Sequence, residues 1–441
     1  MEMLGASPFI WLKFDKNGSI NPTTAAALSA LLNKPDVADL VVMSHGWKND
    51  EGEARALYQT LWANTCDAMS ADRPAKIVVA GVLWPSKTYG ADFDQDALIA
   101  SAGNGAMAVA VGAAGRKDID EQVFEAAIKE FLDVTEGNSS IALLANALGE
   151  EFDAARAQTL VKAANSTVGL NTTDGELAGQ AIDLKRAELT PDDALTVLLS
   201  LQEPPSFQVS SSVGSAQGLG ETISNLFAGP KAAVARYLNL LTYYEMKKRA
   251  GLIGQELTAH VLAKLTPERS IRCHLVGHSF GARLVTSAAN EMADSPKVAF
   301  RSLTLLQGAF SQNAFARNFP PGVSGAFLNV VGKPKGPIAI THTHNDLACT
   351  LAYAIASRLS RDMAQAVGDK DDVYGAMGAN GPQHLEPGQA VEDDVTQTFS
   401  PIAGKVNTFL ADKFVVKTKD VDAHNNVTNK ECGRLLARVI S

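Results

Sequence analysis

A chain of 441 residues, 46% hydrophobic and 20% charged, can bury a large core, which excludes disordered and fibrous classes. Its 48 acidic side chains outnumber 39 basic ones without any basic block, so neither nucleic acid nor an anionic membrane surface is an expected partner. Met1 to Phe14 lacks a basic segment ahead of an apolar stretch and lacks a small-residue cleavage site, which predicts a cytoplasmic protein.

In chain order, strand-like and helix-like runs alternate. A strand over Pro8 to Phe14 precedes a helix over Thr23 to Leu32; a strand over Leu40 to Met43 precedes a helix over Glu53 to Met69, and a strand follows at Ile77 to Leu83. Such alternation predicts a mostly parallel sheet with helices on its faces. It stops between Trp84 and Ile271. A crossover helix over Lys231 to Leu265 accounts for the end of that interval and leaves the rest surplus to the sheet. The surplus reads as helical: Phe124, Ala127, Ile128, Phe131 and Leu132 mark one apolar face, and Ala194, Val197, Leu198 and Leu201 another. Thr190, Pro191 and Asp193 supply a cap, a first-turn proline and a first-turn acid for the second of these helices. Residues 206–220, rich in serine and glycine, predict a loop. The alternation resumes with strands at Leu303 to Leu306 and Pro337 to Thr341, a helix over Leu347 to Leu359, a strand within Lys405 to Leu410 and a last helix over Asn429 to Val439. The expected division is a core of residues 1–91 and 230–441 with a helical insertion, 92–229, between them.

No stretch is long and apolar enough to predict a transmembrane segment, since 97–114 is broken by Ser101, Asn104 and several glycines. Cys66, Cys273, Cys349 and Cys432 are far apart and read as four buried, reduced thiols rather than a disulfide framework or metal site. Asp92, Asp94 and Asp96 imitate the start of a calcium loop, but Ala97 and Gly103 stand where a glycine and a glutamate are needed. Asp420, Asp422 and His424 have no second ligand cluster at a recognisable spacing. No cofactor is expected.

The most informative stretch is Ile271 to Leu284, an apolar strand feeding Gly277-His278-Ser279-Phe280-Gly281 and then a helical pattern. A serine hydroxyl is a weak nucleophile until a base takes its proton, so it must be held clear of the backbone and facing that base. Glycines two residues to either side let strand and helix approach closely around a strained serine, as in the G-x-S-x-G nucleophile elbow. A second glycine turn, His45-Gly46-Trp47, follows the strand that ends near Met43. Acyl transfer needs two preorganised N–H donors for the developing oxyanion, each worth about 10² to 10³ in rate. Phe280 supplies one, and Gly46 or Trp47 the other.

These two turns resemble those of the α/β-hydrolase superfamily, specifically its lipase and esterase-like serine hydrolases. The resemblance covers residues 8–90 and 231–440. It implies a mostly parallel hydrolase sheet with the helical insertion between its fourth strand and the elbow strand, and the chain order nucleophile, acid, histidine. Asp346, in the loop after Ile338 to Thr341, matches the acid; Asp420 and Asp422 compete less well and read as shaping the loop of His424. His424, ahead of the last helix, matches the base, whereas His384 lies in a loop rich in glycine and proline. His45, Trp84 and His278 are expected around a substrate pocket, with His342 and His344 as further candidates to line it, and His260 reads as structural. Unlike many members of the superfamily, whose caps follow the sixth strand, this chain carries its surplus before the elbow. The implied activity is hydrolysis of a small-molecule ester or related acyl compound through an acyl-enzyme; a peptidase or thioesterase would use the same triad. A noncatalytic interaction scaffold on the same sheet is the alternative, with the helical insertion as the surface for a protein partner.

Overall fold

The computed structural model describes residues 2–47, 49–86, 153–168, 190–200, 230–319, 321–346, 348–349, 375–419 and 421–441, with shorter stretches between 125 and 146. Its strands are β1 (Glu2–Leu4), β2 (Ser7–Lys13), β3 (Asp39–Ser44), β4 (Ile77–Leu83), β5 (Ile271–His278), β6 (Val298–Leu306), β7 (Ile338–His342), β8 (Ala390–Asp393) and β9 (Val406–Leu410). They form one nine-stranded sheet in the order β1-β2-β4-β3-β5-β6-β7-β9-β8. Every pairing is parallel except that of β1 with β2.

The helices are α1 (Thr24–Leu32), α2 (Glu51–Asp67), α3 (Ser139–Asn146), α4 (Ala154–Val168), α5 (Pro191–Ser200), α6 (Pro230–His260), α7 (Phe280–Glu291), α8 (Met377–Asn380) and α9 (Lys430–Val439). Because successive strand side chains point to opposite faces, the apolar runs of β3 and β4 each feed two cores. On one face Leu40, Val42, Val78 and Ala80 meet α1, α6 and α7; on the other Val41, Met43, Ile77 and Val79 meet α2 and α9. The chain is therefore α/β, with a largely parallel sheet flanked by helices.

Helix starts follow local chemistry. Asp50 accepts the Glu53 amide while the Glu53 carboxylate accepts the Asp50 amide, a capping box that opens α2. Asn429 accepts the Cys432 amide and opens α9.

Between β4 and β5, Ile128, Phe131, Ala194 and Leu198 are buried, in agreement with the apolar spacing read there, and Leu160 is buried as well. The Val197 side chain and the anticipated loop 206–220 lie outside what the structure describes, as does most of the helix expected at 347–359. The 31-residue α6 contributes to two environments. Val234, Leu238 and Leu241 are buried in its first half, where Tyr237 donates to Asn165 of α4 at 2.5 Å. Met246, Ala250, Ile253 and Leu257 pack into the sheet core. At 100° per residue the second set is turned by roughly a third of a turn from the first, so one helix presents different faces to different partners. Among the described residues, no helix is long and apolar enough to cross a membrane.

β1 and β8 lie outside the sequence-based reading. Both are short edge strands, and β8 carries Glu392 and Asp393 with no buried residue, so neither leaves an apolar run to detect.

Candidate active site

Strand order reverses around β3, whose neighbours β4 and β5 continue the chain in opposite directions across the sheet. In open α/β sheets the crevice beyond the carboxyl ends of such strands is where ligands bind. Here those ends are Ser44 and His278, and the two glycine turns follow them.

Ser279 links β5 to α7 at φ 57° and ψ −125°, a backbone conformation that non-glycine residues rarely adopt. Both backbone groups of Ser279 are engaged: its amide donates to Leu306 at 3.1 Å, and its carbonyl accepts from Ala282 at 3.0 Å and Ala309 at 3.2 Å. The flanking glycines are sterically required. A methyl group on Gly277 would strike the Gly281 carbonyl, and one on Gly281 would strike the carbonyls of Ser44 and His45.

His424 Nε2 lies 2.8 Å from Ser279 Oγ, and Nδ1 lies 2.7 Å from Asp346 Oδ2. The carboxylate can only accept, so Nδ1 carries the proton and Nε2 faces the hydroxyl as an acceptor. Asp346 is fully buried, whereas the His424 side chain keeps 13% exposure, so the imidazole is the member of this pair that reaches solvent. Although burial opposes ionisation, the charge and hydrogen bond of His424, with donors at Cys349 and Gln307, hold the Asp346 carboxyl below its ordinary range. The two oxygens of this aspartate have different partners: Oδ1 accepts the Cys349 amide at 2.9 Å while Oδ2 accepts from His424.

The His424 loop is built from asparagines. Asp422 accepts the Asn425 amide at 3.1 Å, Asn426 donates to the Val416 carbonyl at 2.9 Å, and Asn429 donates to the carbonyls of Asn426 and Phe414. Asp422 thus shapes the loop, as expected; Asp420 lies outside the described residues.

Gly46 lies directly against the serine. A methyl group there would sit 2.6 Å from Ser279 Cβ and 3.1 Å from Oγ. Phe280 opens α7, and its ring meets Trp47 edge-on with centroids 6.0 Å apart.

The three residues expected around a pocket are buried behind this site. His45 Nδ1 donates to the Gly46 carbonyl at 2.8 Å, Nε2 accepts the Trp84 amide at 3.4 Å, and Trp84 stacks on the imidazole at 5.7 Å. Both are buried, and they back the Gly46 turn. Burial lowers the His45 pKa to about 4, so this ring is neutral. His278 donates from Nε2 to the His424 carbonyl at 2.9 Å, with the two rings 4.9 Å apart. Burial and then the nearby His424 lower the His278 pKa to about 3, so the His278 ring is neutral.

His384 is exposed, as anticipated, but it is held: Nδ1 donates to Asn313 Oδ1 at 2.7 Å and the ring stacks on Phe319. His344 faces Asp412 at 3.2 Å and His260 faces Glu256 at 2.9 Å, each in an exposed pair.

Two site residues carried no recognisable motif. Gln307 immediately follows β6, and Cys349 lies three residues beyond Asp346. The signal for Gln307 was positional, a polar residue at the carboxyl end of the strand beside the elbow strand. Among the described residues, Asp346, Cys349 and His424 form a group of metal-ligand type. Two of its ligand atoms are already hydrogen-bonded to one another, and burial pushes the Cys349 thiol far above its ordinary range.

A second Ser-His-Asp series occurs toward the amino ends of the strands. His274 joins Ser302 Oγ at 2.7 Å and Asp39 at 3.1 Å. Ser302 sits within β6 with no exposed surface, and Asp39 is also paired with Arg73 and Arg272. The connectivity of a triad is thus present there without a turn that presents the serine.

No family profile, no curated protein and no solved structure matches this chain.

Proposed function

We propose that this chain is a serine hydrolase with an α/β-hydrolase fold, cleaving an ester or related acyl bond through an acyl-enzyme. The observation that carries this reading is the continuous hydrogen-bond series from Ser279 Oγ through His424 to the buried Asp346, with the serine on a strained turn between strand and helix. Ser279 Oγ attacks the acyl carbon as its proton passes to His424 Nε2. The imidazolium, stabilised by Asp346, returns that proton to the leaving alcohol, and water then attacks the ester on Ser279 with His424 again as base. The amide of Phe280 and one from the Gly46-Trp47 turn face the oxyanion. Helices between β4 and β5 form the insertion and act as access walls that select the substrate.

A fluorophosphonate probe tests the reading. It should label Ser279 alone, and Ser279→Ala should remove both labelling and turnover of a small activated ester while leaving the circular dichroism spectrum unchanged. Equal labelling of the alanine variant would refute the assignment.

A further inference from the structure

Gln307 is energetically out of place unless its side chain has a task. Its backbone has φ 46°, in the left-handed region, although it is not a glycine. Its side chain is fully buried, and among the described residues its Oε1 has no hydrogen-bond partner. Either feature is costly, and both fall on one residue. An apolar side chain would avoid the second cost and a glycine the first.

The other end of the amide has two acceptors. Nε2 donates to the Gly378 carbonyl at 2.9 Å and to Asp346 Oδ2 at 3.1 Å. That is the oxygen His424 Nδ1 also uses. The amide orientation follows from its surroundings, because exchanging oxygen and nitrogen would point a carbonyl at a carboxylate and at a second carbonyl. With the Cys349 amide on Oδ1, three donors fix the plane of the carboxylate. The backbone of Gln307 is held as well, its amide donating to Thr341 Oγ1 at 3.3 Å.

We infer that Gln307 is a positioning residue: its amide aims the Asp346 carboxylate at His424, and the left-handed backbone and unpartnered Oε1 are retained because of that contact. This inference rests on the proposed hydrolase reading and deepens it. The titratable groups around the amide are Asp346 and Cys349 after β7 and His424 after β9, with His278 at the end of β5 tilted at 43° against His424. From α8 the contact to the amide is the Gly378 carbonyl.

Two substitutions separate positioning from simple packing. Gln307→Gly relieves the backbone and removes the donor. It should lower kcat about 10- to 100-fold with little change in KM. Gln307→Glu restores a donor only while its carboxyl is protonated, and a carboxyl beside a buried carboxylate keeps its proton to unusually high pH. Its kcat should therefore exceed that of Gln307→Gly at low pH and fall at high pH, an alkaline limb absent from the parent. A purely structural role predicts the same pH-independent deficit in both variants, which would overturn the proposal.

A readout that needs no substrate is the strongly deshielded proton resonance of His424 Nδ1–H. It should shift or broaden in folded Gln307→Gly, and an unchanged resonance would equally overturn the inference. If Ser279 is not labelled and no acyl compound is turned over, the hydrolase reading fails, while the resonance still decides whether Gln307 positions Asp346.

Discussion

Individual side chains divide into those that touch a reacting atom and those that hold them. His424→Ala should lower kcat on the order of 10⁴ or more, and Asp346→Asn by less but still by orders of magnitude. His384→Ala should stay near the parent value, because its imidazole is committed to Asn313 and Phe319. Steady-state kinetics on an activated ester, with each variant checked by circular dichroism, measures this ranking, and its reversal would move the base to the 381–388 loop. Ser279 and Asp346 were legible in the sequence because each follows the end of a strand at a polar turn, and His424 because it lies in the loop ahead of the last helix. Gln307 was not, since nothing local marks a glutamine as turning a positive φ. His45, Trp84 and His278 were legible as neighbours of the site, yet their direction was not: sequence places a residue beside a turn without saying on which side of it the ring lies.

Secondary-structure elements contribute by how closely they approach. The turn after β3 reaches the nucleophile only because Gly46 has no side chain. Gly46→Ala should therefore cost about 10² to 10³ in kcat by displacing an oxyanion donor. A soluble Gly46→Ala enzyme with turnover within a few-fold of the parent would disprove the role of that turn. Central strands were legible because burial on both faces leaves continuous apolar runs such as Val41 to Met43 and Ile77 to Val79. The pseudo-triad of Asp39, His274 and Ser302 shows why spacing alone is insufficient: its atoms are in register, but β6 keeps Ser302 within a strand rather than presenting it on a turn.

Across the whole molecule, several histidines are folded into places that disfavour charge. Burial, the foremost cause in each, holds His45 at about 4, His278 at about 3 and His342 at about 4, all below the ordinary 6.5. An unfolded chain takes up protons at these positions first. Their stabilising contribution is thus complete above pH 6.5 and is lost as pH falls from there through 4, at about 1.4 kcal/mol per pH unit for each group inside its window. Asp39, lowered to about 2 by its hydrogen bonds to His274, Arg272 and Arg73 against the cost of burial, adds its loss only below the ordinary carboxylate range. Urea unfolding midpoints measured from pH 7.5 to 4.5 should fall steadily; a flat profile would mean these rings are not held neutral by the fold. Apolar spacing made the helices between β4 and β5 legible as helices, but it carries no information on what they cover.

α6 gives these scales a mechanical connection. At 1.5 Å per residue its 31 residues span about 46 Å. One end joins α4 through Tyr237 and Asn165, and the other is pinned to α7 by Ser287 donating to Gly251 and Thr258 donating to Ala288, both at 2.8 Å. α6 thus ties the helix that follows Ser279 to α4 through one continuous element.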